Sequence, residues 1–216
     1  QQNPSFTFQN AGSYSVFLRI TCVNGTVDSV YVNDYIVVDN CNEELDYGDA
    51  PDPSYPTLLA SNGARHNIDP DVFLGSSIDA DPDGQPNSDG SGDDTDGNND
   101  DDGVIFKDAF IPGSWARFEI TASRDGSIGI WVDFNRDGDW ADPGESAFNS
   151  DTTIFAGKNT WSIEVPSNAV LGKTFARFRY CTTGPPLAYD GSWVDGEVED
   201  YEVEIVGGGG QTGSIT

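Results

Sequence analysis

The sharpest chemical signal in the sequence is the run Asp133-Phe134-Asn135-Arg136-Asp137-Gly138-Asp139, which sets oxygen-bearing side chains at alternate positions around a glycine. Oxygen ligands at that spacing, with Gly for the tight turn, wrap a loop around one hard cation. Asp133, Asn135 and Asp137 would supply side-chain oxygens and Asp139 a backbone carbonyl. Glu145 lies one position later than the closing Glu of an EF-hand, and the segment ahead of the loop, 128–134, reads as a strand rather than a helix. The expectation is therefore a calcium loop outside the EF-hand fold. The same residues also suit an acidic hairpin that binds nothing.

Two further groups of carboxylates invite the same question. In a strand, Glu197 and Glu199 share a face with Tyr201, Val203 and Ile205. If the latter three enter a core, both glutamates continue that face towards the end of the sheet, where unpaired carboxylates are costly. Asp46, Asp49 and Asp52, on a proline-containing turn, are natural companions around a cation; the alternative is that the glutamates cap amides or meet water. The third group lies in the low-complexity stretch from Asp79 to Asp102, which holds ten Asp. Asp79, Asp81, Asp83, Asp94, Asp96, Asp100 and Asp102 are its candidates, in a loop that is either solvated or ordered by calcium. Many carboxylates on flexible loops suit calcium better than magnesium.

Catalytic chemistry finds little support. His66 is the only histidine, which excludes paired-His zinc sites and disfavours a Ser-His-Asp triad. Paired carboxylates for glycoside hydrolysis carry no information in so acidic a chain. No catalytic residue is assigned and no enzyme is expected. Trp131 and Trp161 alternate with strand residues as core side chains do, whereas Trp140 and Trp193 sit beside acidic loops; the expectation for them is a core or loop-anchoring role, and only if exposed would they form a platform for sugars.

The elements that must position these groups are strands. Alternating apolar runs mark Ala116–Thr121, Ser127–Phe134, Thr160–Val165, Thr174–Thr182 and Glu197–Val206, and no segment has helical periodicity. Residues 3–39 also read as strands, turning at Asn24-Gly25. Ten Lys and Arg against 37 Asp and Glu give a formal net charge of -27, which argues against nucleic acid and anionic membranes and leaves the carboxylates in need of cations. No apolar run approaches the roughly 20 residues of a membrane-spanning helix. Without Met and starting at Gln1, the chain is expected to be a processed product or a fragment. Cys22, Cys41 and Cys181 match no zinc spacing; in an extracellular protein they suggest one bridge, of undetermined pairing, and one remaining thiol.

Asn3-Pro4-Ser5-Phe6-Thr7-Phe8, Asn10-Ala11-Gly12-Ser13-Tyr14-Ser15-Val16 and Tyr35-Ile36-Val37-Val38 resemble the last strands of a PKD domain, an immunoglobulin-like module of surface proteins. Only about the second half of such a domain is covered, so strands from upstream or from a neighbouring chain would complete it. Asp46-Tyr47-Gly48-Asp49-Ala50-Pro51-Asp52 and Gly196-Glu197-Val198-Glu199-Asp200-Tyr201 bracket a second region, with Arg65-His66, Asp100-Asp101-Asp102-Gly103-Val104 and Trp131 to Trp140 between them. Together these motifs resemble the GEVED domain. That resemblance implies an extracellular β-sandwich of large bacterial surface and secreted proteins, with no defined reaction.

The expected architecture is all-β: an Ig-like partial sandwich over 1–40, a larger antiparallel, jelly-roll-like sandwich with long acidic loops over 41–206, and a Gly-rich linker with a possible further strand over 207–216. The expected function is a calcium-stabilised structural or adhesion module, secreted and at the cell surface, with the repeating subunit of an extracellular filament as one form of it. Its partners would be other copies of itself, neighbouring domains, or cell-surface and matrix glycans. A carbohydrate-binding accessory module of a secreted hydrolase is the competing reading.

Overall fold

Along Trp115–Ala122 the side chains of Ala116, Phe118, Ile120 and Ala122 are buried while Trp115 and Arg117 face solvent, the period-two pattern of a strand with one face on a core. The structure, a computed structural model, describes residues 8, 12–38, 44–92, 100–147, 153–184 and 188–208. The chain divides into two units, Gln1–Glu43 and Glu44–Thr216.

In the first unit, β1 (Gly12–Thr21) and β2 (Val27–Val38) form one antiparallel hairpin. Phe17 and Leu18, successive residues that point to opposite faces of the ribbon, are both exposed, as are Ile20, Val30, Tyr31 and Tyr35. A lone two-stranded ribbon of this kind is marginal in water.

The second unit is an all-β sandwich with no α-helix among the described residues. It contains β3 (Leu45–Tyr47), β4 (Arg65–Asn67), β5 (Val104–Phe106), β6 (Trp115–Ala122), β7 (Gly126–Val132), β8 (Thr153–Ile154), β9 (Gly157–Glu164), β10 (Gly172–Cys181), β11 (Ser192–Trp193) and β12 (Glu197–Ile205). One sheet runs β12-β10-β7-β8 and another β5-β6-β9, both antiparallel throughout. Between them lies the main core, in which Val104, Phe118, Ile120 and Ile163 of the second sheet meet Ile128, Ile130, Phe178, Tyr180, Val203 and Ile205 of the first.

The four-stranded sheet is buried on its other face too. Along β10 every residue from Thr174 to Cys181 is buried, so Phe175, Arg177 and Arg179 are covered as fully as Ala176 and Phe178. The cover is the Pro- and Asp-rich segment that follows β3, together with the small sheet β11-β4-β3. Ala50 and Tyr55 from that segment pack with Trp131, Trp140 and Phe175 in a second apolar cluster. The five strands expected after residue 104 are present, joined by the short β5, β8 and β11, which are too brief to show a period. No helix of the described residues is long and apolar enough to cross a membrane.

Candidate metal centres

Register between β10 and β12 decides where the charges go. Arg177 stands directly opposite Asp200, Phe178 opposite Glu199, Arg179 opposite Val198 and Tyr180 opposite Glu197. Alternate residues of β12 therefore face opposite layers, with Asp200 towards the cover and Glu197 and Glu199 on the side of the main core.

On the covered face the charges are matched within the protein. Arg177 donates to both oxygens of Asp200, Nε to Oδ1 at 2.7 Å and Nη2 to Oδ2 at 2.6 Å, in a fully buried bidentate pair. Asp200 Oδ2 also accepts from the backbone N–H groups of Asp49 and Ala50, each at 2.9 Å. The rest of the guanidinium reaches the carbonyls of Pro56 and Tyr189 and lies 4.7 Å from the centre of the Trp140 ring. A Cβ at Gly48 would collide with the Asp200 carboxylate and the Arg177 guanidinium, which is why the Tyr47-Gly48-Asp49 turn passes so close. Beside this pair, Arg179 Nε donates to His66 Nε2 at 3.0 Å. The other ring nitrogen, Nδ1, lies 2.6 Å from the Asp195 carbonyl and so carries the proton. Burial, reinforced by the charge of Arg179, pushes the His66 pKa well below its ordinary value. His66 is thus neutral and engaged at both nitrogens.

On the core face Glu197 and Glu199 have no ion-pair partner among the described residues. Oxygens of Asp46 (on β3), Asp100 and Glu197 lie within 4.8 Å of one another, and all three side chains are buried. Asp46 Oδ2 accepts from the Val198 N–H at 2.6 Å, Asp100 Oδ2 from the Asp79 N–H at 3.1 Å, and Glu197 Oε2 from the Leu74 N–H. Glu197 Oε1 accepts from nothing. Neither Glu197 nor Asp100 forms an ion pair among the described residues. Glu199, next on the same face, accepts from the Gly103 N–H at 2.6 Å. Burial is the first cause that raises all these glutamates and Asp100: Glu197 goes well above the carboxylate range, Glu199 to about 8, and Asp100 to about 6 with Asp79 adding repulsion. Acceptor-only groups buried at this spacing, one with an orphaned oxygen, fit a hard divalent cation.

The second cluster joins Asp133, Asp137 and Glu145, again within 4.8 Å. Asp133 closes the loop on itself by accepting from Arg136 N–H at 2.5 Å and Gly138 N–H at 3.2 Å, and it takes the Tyr55 hydroxyl at 2.5 Å. Gly138 has φ +94, a left-handed conformation that favours glycine and turns the ligands inward. Glu145 is inaccessible to solvent though it lies at shallow depth. Its Oε2 accepts from Asp142 N–H at 3.1 Å and its Oε1 has no partner. Burial foremost, with Asp133, Asp137 and Asp142 adding charge, raises its pKa to about 7.

The remaining candidates divide by what their oxygens already do. Asn135 accepts from Asp137 N–H at 2.8 Å and turns its amide nitrogen to Asp137 and Asp142; Asp139 caps Ala141 N–H. Asp49 accepts from Gly92 N–H at 2.5 Å, away from the Asp46 cluster. Asp52 caps Thr57 and Leu58 and takes the Ser61 hydroxyl; Asp83 caps Leu59 and Gly84. Asp81 accepts from Tyr47 N–H and the Gln85 amide, and Asp102 from Ser76. Asp79 stands beside Asp100. Asp94 and Asp96 lie outside the described residues, as does Cys41; Cys22 is exposed and Cys181 buried, both as thiols.

Sequence reasoning missed Asp142, whose position just before Pro143-Gly144-Glu145 marks it as part of the loop, and the Arg177–Asp200 pair. Trp140 takes the core and loop-anchoring role that the sequence favours over an exposed platform: it is buried, its Nε1 donating to the Phe175 carbonyl at 3.2 Å.

No curated protein and no solved structure matches the chain. Residues 127–204, from β7 through nearly all of β12, match the family model of the GEVED domain and so take in both the Asp133–Glu145 loop and Glu197 and Glu199.

Proposed function

We propose that the chain is a calcium-stabilised extracellular structural or adhesion module, in which one ion seats at Asp46, Asp100 and Glu197 and another at Asp133, Asp137 and Glu145. The observation that carries this reading is the Glu197 carboxylate, buried beside two others with one oxygen unpartnered. The ion would tie β3, the acidic loop and β12 together. Calcium suits the site through its tolerance of many oxygens in irregular geometry.

The same reading makes the module environment-sensitive. At a free calcium concentration of 100 times Kd, each ion adds about 2.7 kcal/mol to the folded state. The module would be rigid in calcium-rich surroundings outside cells and loosened where calcium is scarce. The PKD-like character of residues 3–38 belongs to the same proposal: apolar side chains exposed on both faces of β1-β2 would be covered by strands of another copy or a neighbouring domain, as in a filament or a repeating surface protein. A thermal melt of the chain with millimolar calcium and again after metal removal, each with a size-exclusion profile, tests the reading. A large fall in Tm on metal removal supports it; an unchanged melt overturns it.

A further inference from the structure

Beside the Asp133–Glu145 loop lies a cleft of about 220 Å³, lined among others by Phe134, Asn135, Asp142, Glu145, Pro166 and Asn168. Glu145 belongs both to this lining and to the cation cluster, and its Oε1 is buried without a partner among the described residues. We propose that the ion held by Asp133, Asp137 and Glu145 keeps an open side towards this cleft and there takes the vicinal diol of a neutral sugar. The inference rests on the calcium reading of the loop and goes beyond a purely structural role for it.

Three observations lead to that ligand class. Calcium takes about six to eight oxygens, whereas the loop offers three clustered carboxylates and the Asn135 oxygen is engaged by the Asp137 N–H. Even with the Asp139 carbonyl added, positions remain that oxygens from outside the loop can fill. Charge then selects among them: three carboxylates outweigh one divalent ion, the Asp142 carboxylate adds to the lining, and no Lys or Arg lines the cleft. A carboxylate or phosphate ligand would enter against that charge, while a neutral diol would not. Finally, Pro143 and Pro166 in the lining offer apolar surface for the C–H face of a sugar ring, and the Asn168 amide offers a hydrogen-bond partner for a neighbouring hydroxyl. This site does not involve Trp140, which is buried.

The test is saturation-transfer NMR of the full chain with methyl α-D-mannopyranoside, methyl β-D-galactopyranoside and methyl α-L-fucopyranoside, in calcium and after metal removal, with the terbium stoichiometry of wild type against Asp137→Asn reporting the loop ion. The expected result is transfer to at least one glycoside in calcium only, abolished in Asp137→Asn. In Asn168→Ala, sugar binding should weaken about tenfold, the size of one hydrogen bond, with terbium affinity unchanged. If terbium binds the loop and no glycoside binds, or acetate binds in their place, the diol inference fails while the calcium reading stands. If Asp137→Asn binds as many terbium ions as wild type, with the same affinity, the loop holds no ion, and both the calcium reading of the loop and the diol inference fail. Glycoside binding that survives metal removal overturns the inference as well.

Discussion

The two faces of β12 solve the same problem in opposite ways. Asp200 is buried and charged, and the protein supplies its cation: Arg177 directly across the strand pair, plus two backbone N–H donors. Glu197 and Glu199 are equally buried on the facing side, yet Glu197 keeps an unpartnered oxygen and shares its surroundings with Asp46 and Asp100. Breaking a buried charge pair leaves an uncompensated charge, and burying carboxylates without a counter-charge incurs the same penalty from the outset. One face is thus complete as translated. On the calcium proposal the other would be completed by a cation from solution, and the stability of the fold would then be a function of its medium.

The comparison predicts how the molecule responds when either side is disturbed. Removing calcium should have the largest effect: with two ions at about 2.7 kcal/mol each, roughly 5 kcal/mol is lost, and Tm falls by about 10–20 °C for a unit of this size, as read by calorimetry. Arg177→Ala should cost about 3–5 kcal/mol whether or not calcium is present, because its partner is covalently part of the chain. Equal urea midpoint shifts in both conditions would check this. Glu197→Gln should change sign with the medium. In calcium it destabilises by about the contribution of one ion, whereas without metal it stabilises by removing a buried carboxylate; paired melts read both arms.

Acidity offers a finer probe of the same face. In the metal-free chain, Glu197, Glu199, Glu145 and Asp100 have folded pKa values above their unfolded ones, with Glu199 at about 8, Glu145 at about 7 and Asp100 at about 6. The folded state therefore binds more protons than the unfolded one between about pH 4 and pH 8, and stability falls as pH rises through that window. Metal-stripped protein should melt at a higher temperature near pH 5 than near pH 8. Bound calcium, which favours the ionised carboxylates, should flatten or reverse that slope. The smallest effect is expected from Asp137→Asn, an exposed position: metal-free stability should stay within about 0.5 kcal/mol, while the loop loses its ion, as terbium luminescence would show.

Much of this was legible in the residues themselves. Alternation along Trp115–Ala122 and Glu197–Ile205 marked strands, and the same alternation placed Glu197 and Glu199 on the inward face with Val203 and Ile205. Asp46 was legible as a companion because it opens the motif that Glu197 closes. Asp100 was visible only as one of many aspartates, since no spacing rule links a loop residue to strands far away in sequence. Composition also could not separate a ligand from a cap: Asp52, Asp83 and Asp102 hold backbone N–H groups in tight turns, which their residue type serves as well as it serves calcium. The covered outer face was the least legible. Arg177 and Arg179 in a strand suggest a solvated side, and only the cross-strand register with Asp200 and the turn after β3 put them inside.

The most direct test of this account is the number of calcium ions carried by the intact chain, read by native mass spectrometry near neutral pH for wild type and Glu197→Gln. Two or more ions on the wild type and one fewer on the variant are predicted. A wild-type chain that carries none, or a variant that carries as many as the wild type, would contradict the claim that β12 is completed by a cation from solution.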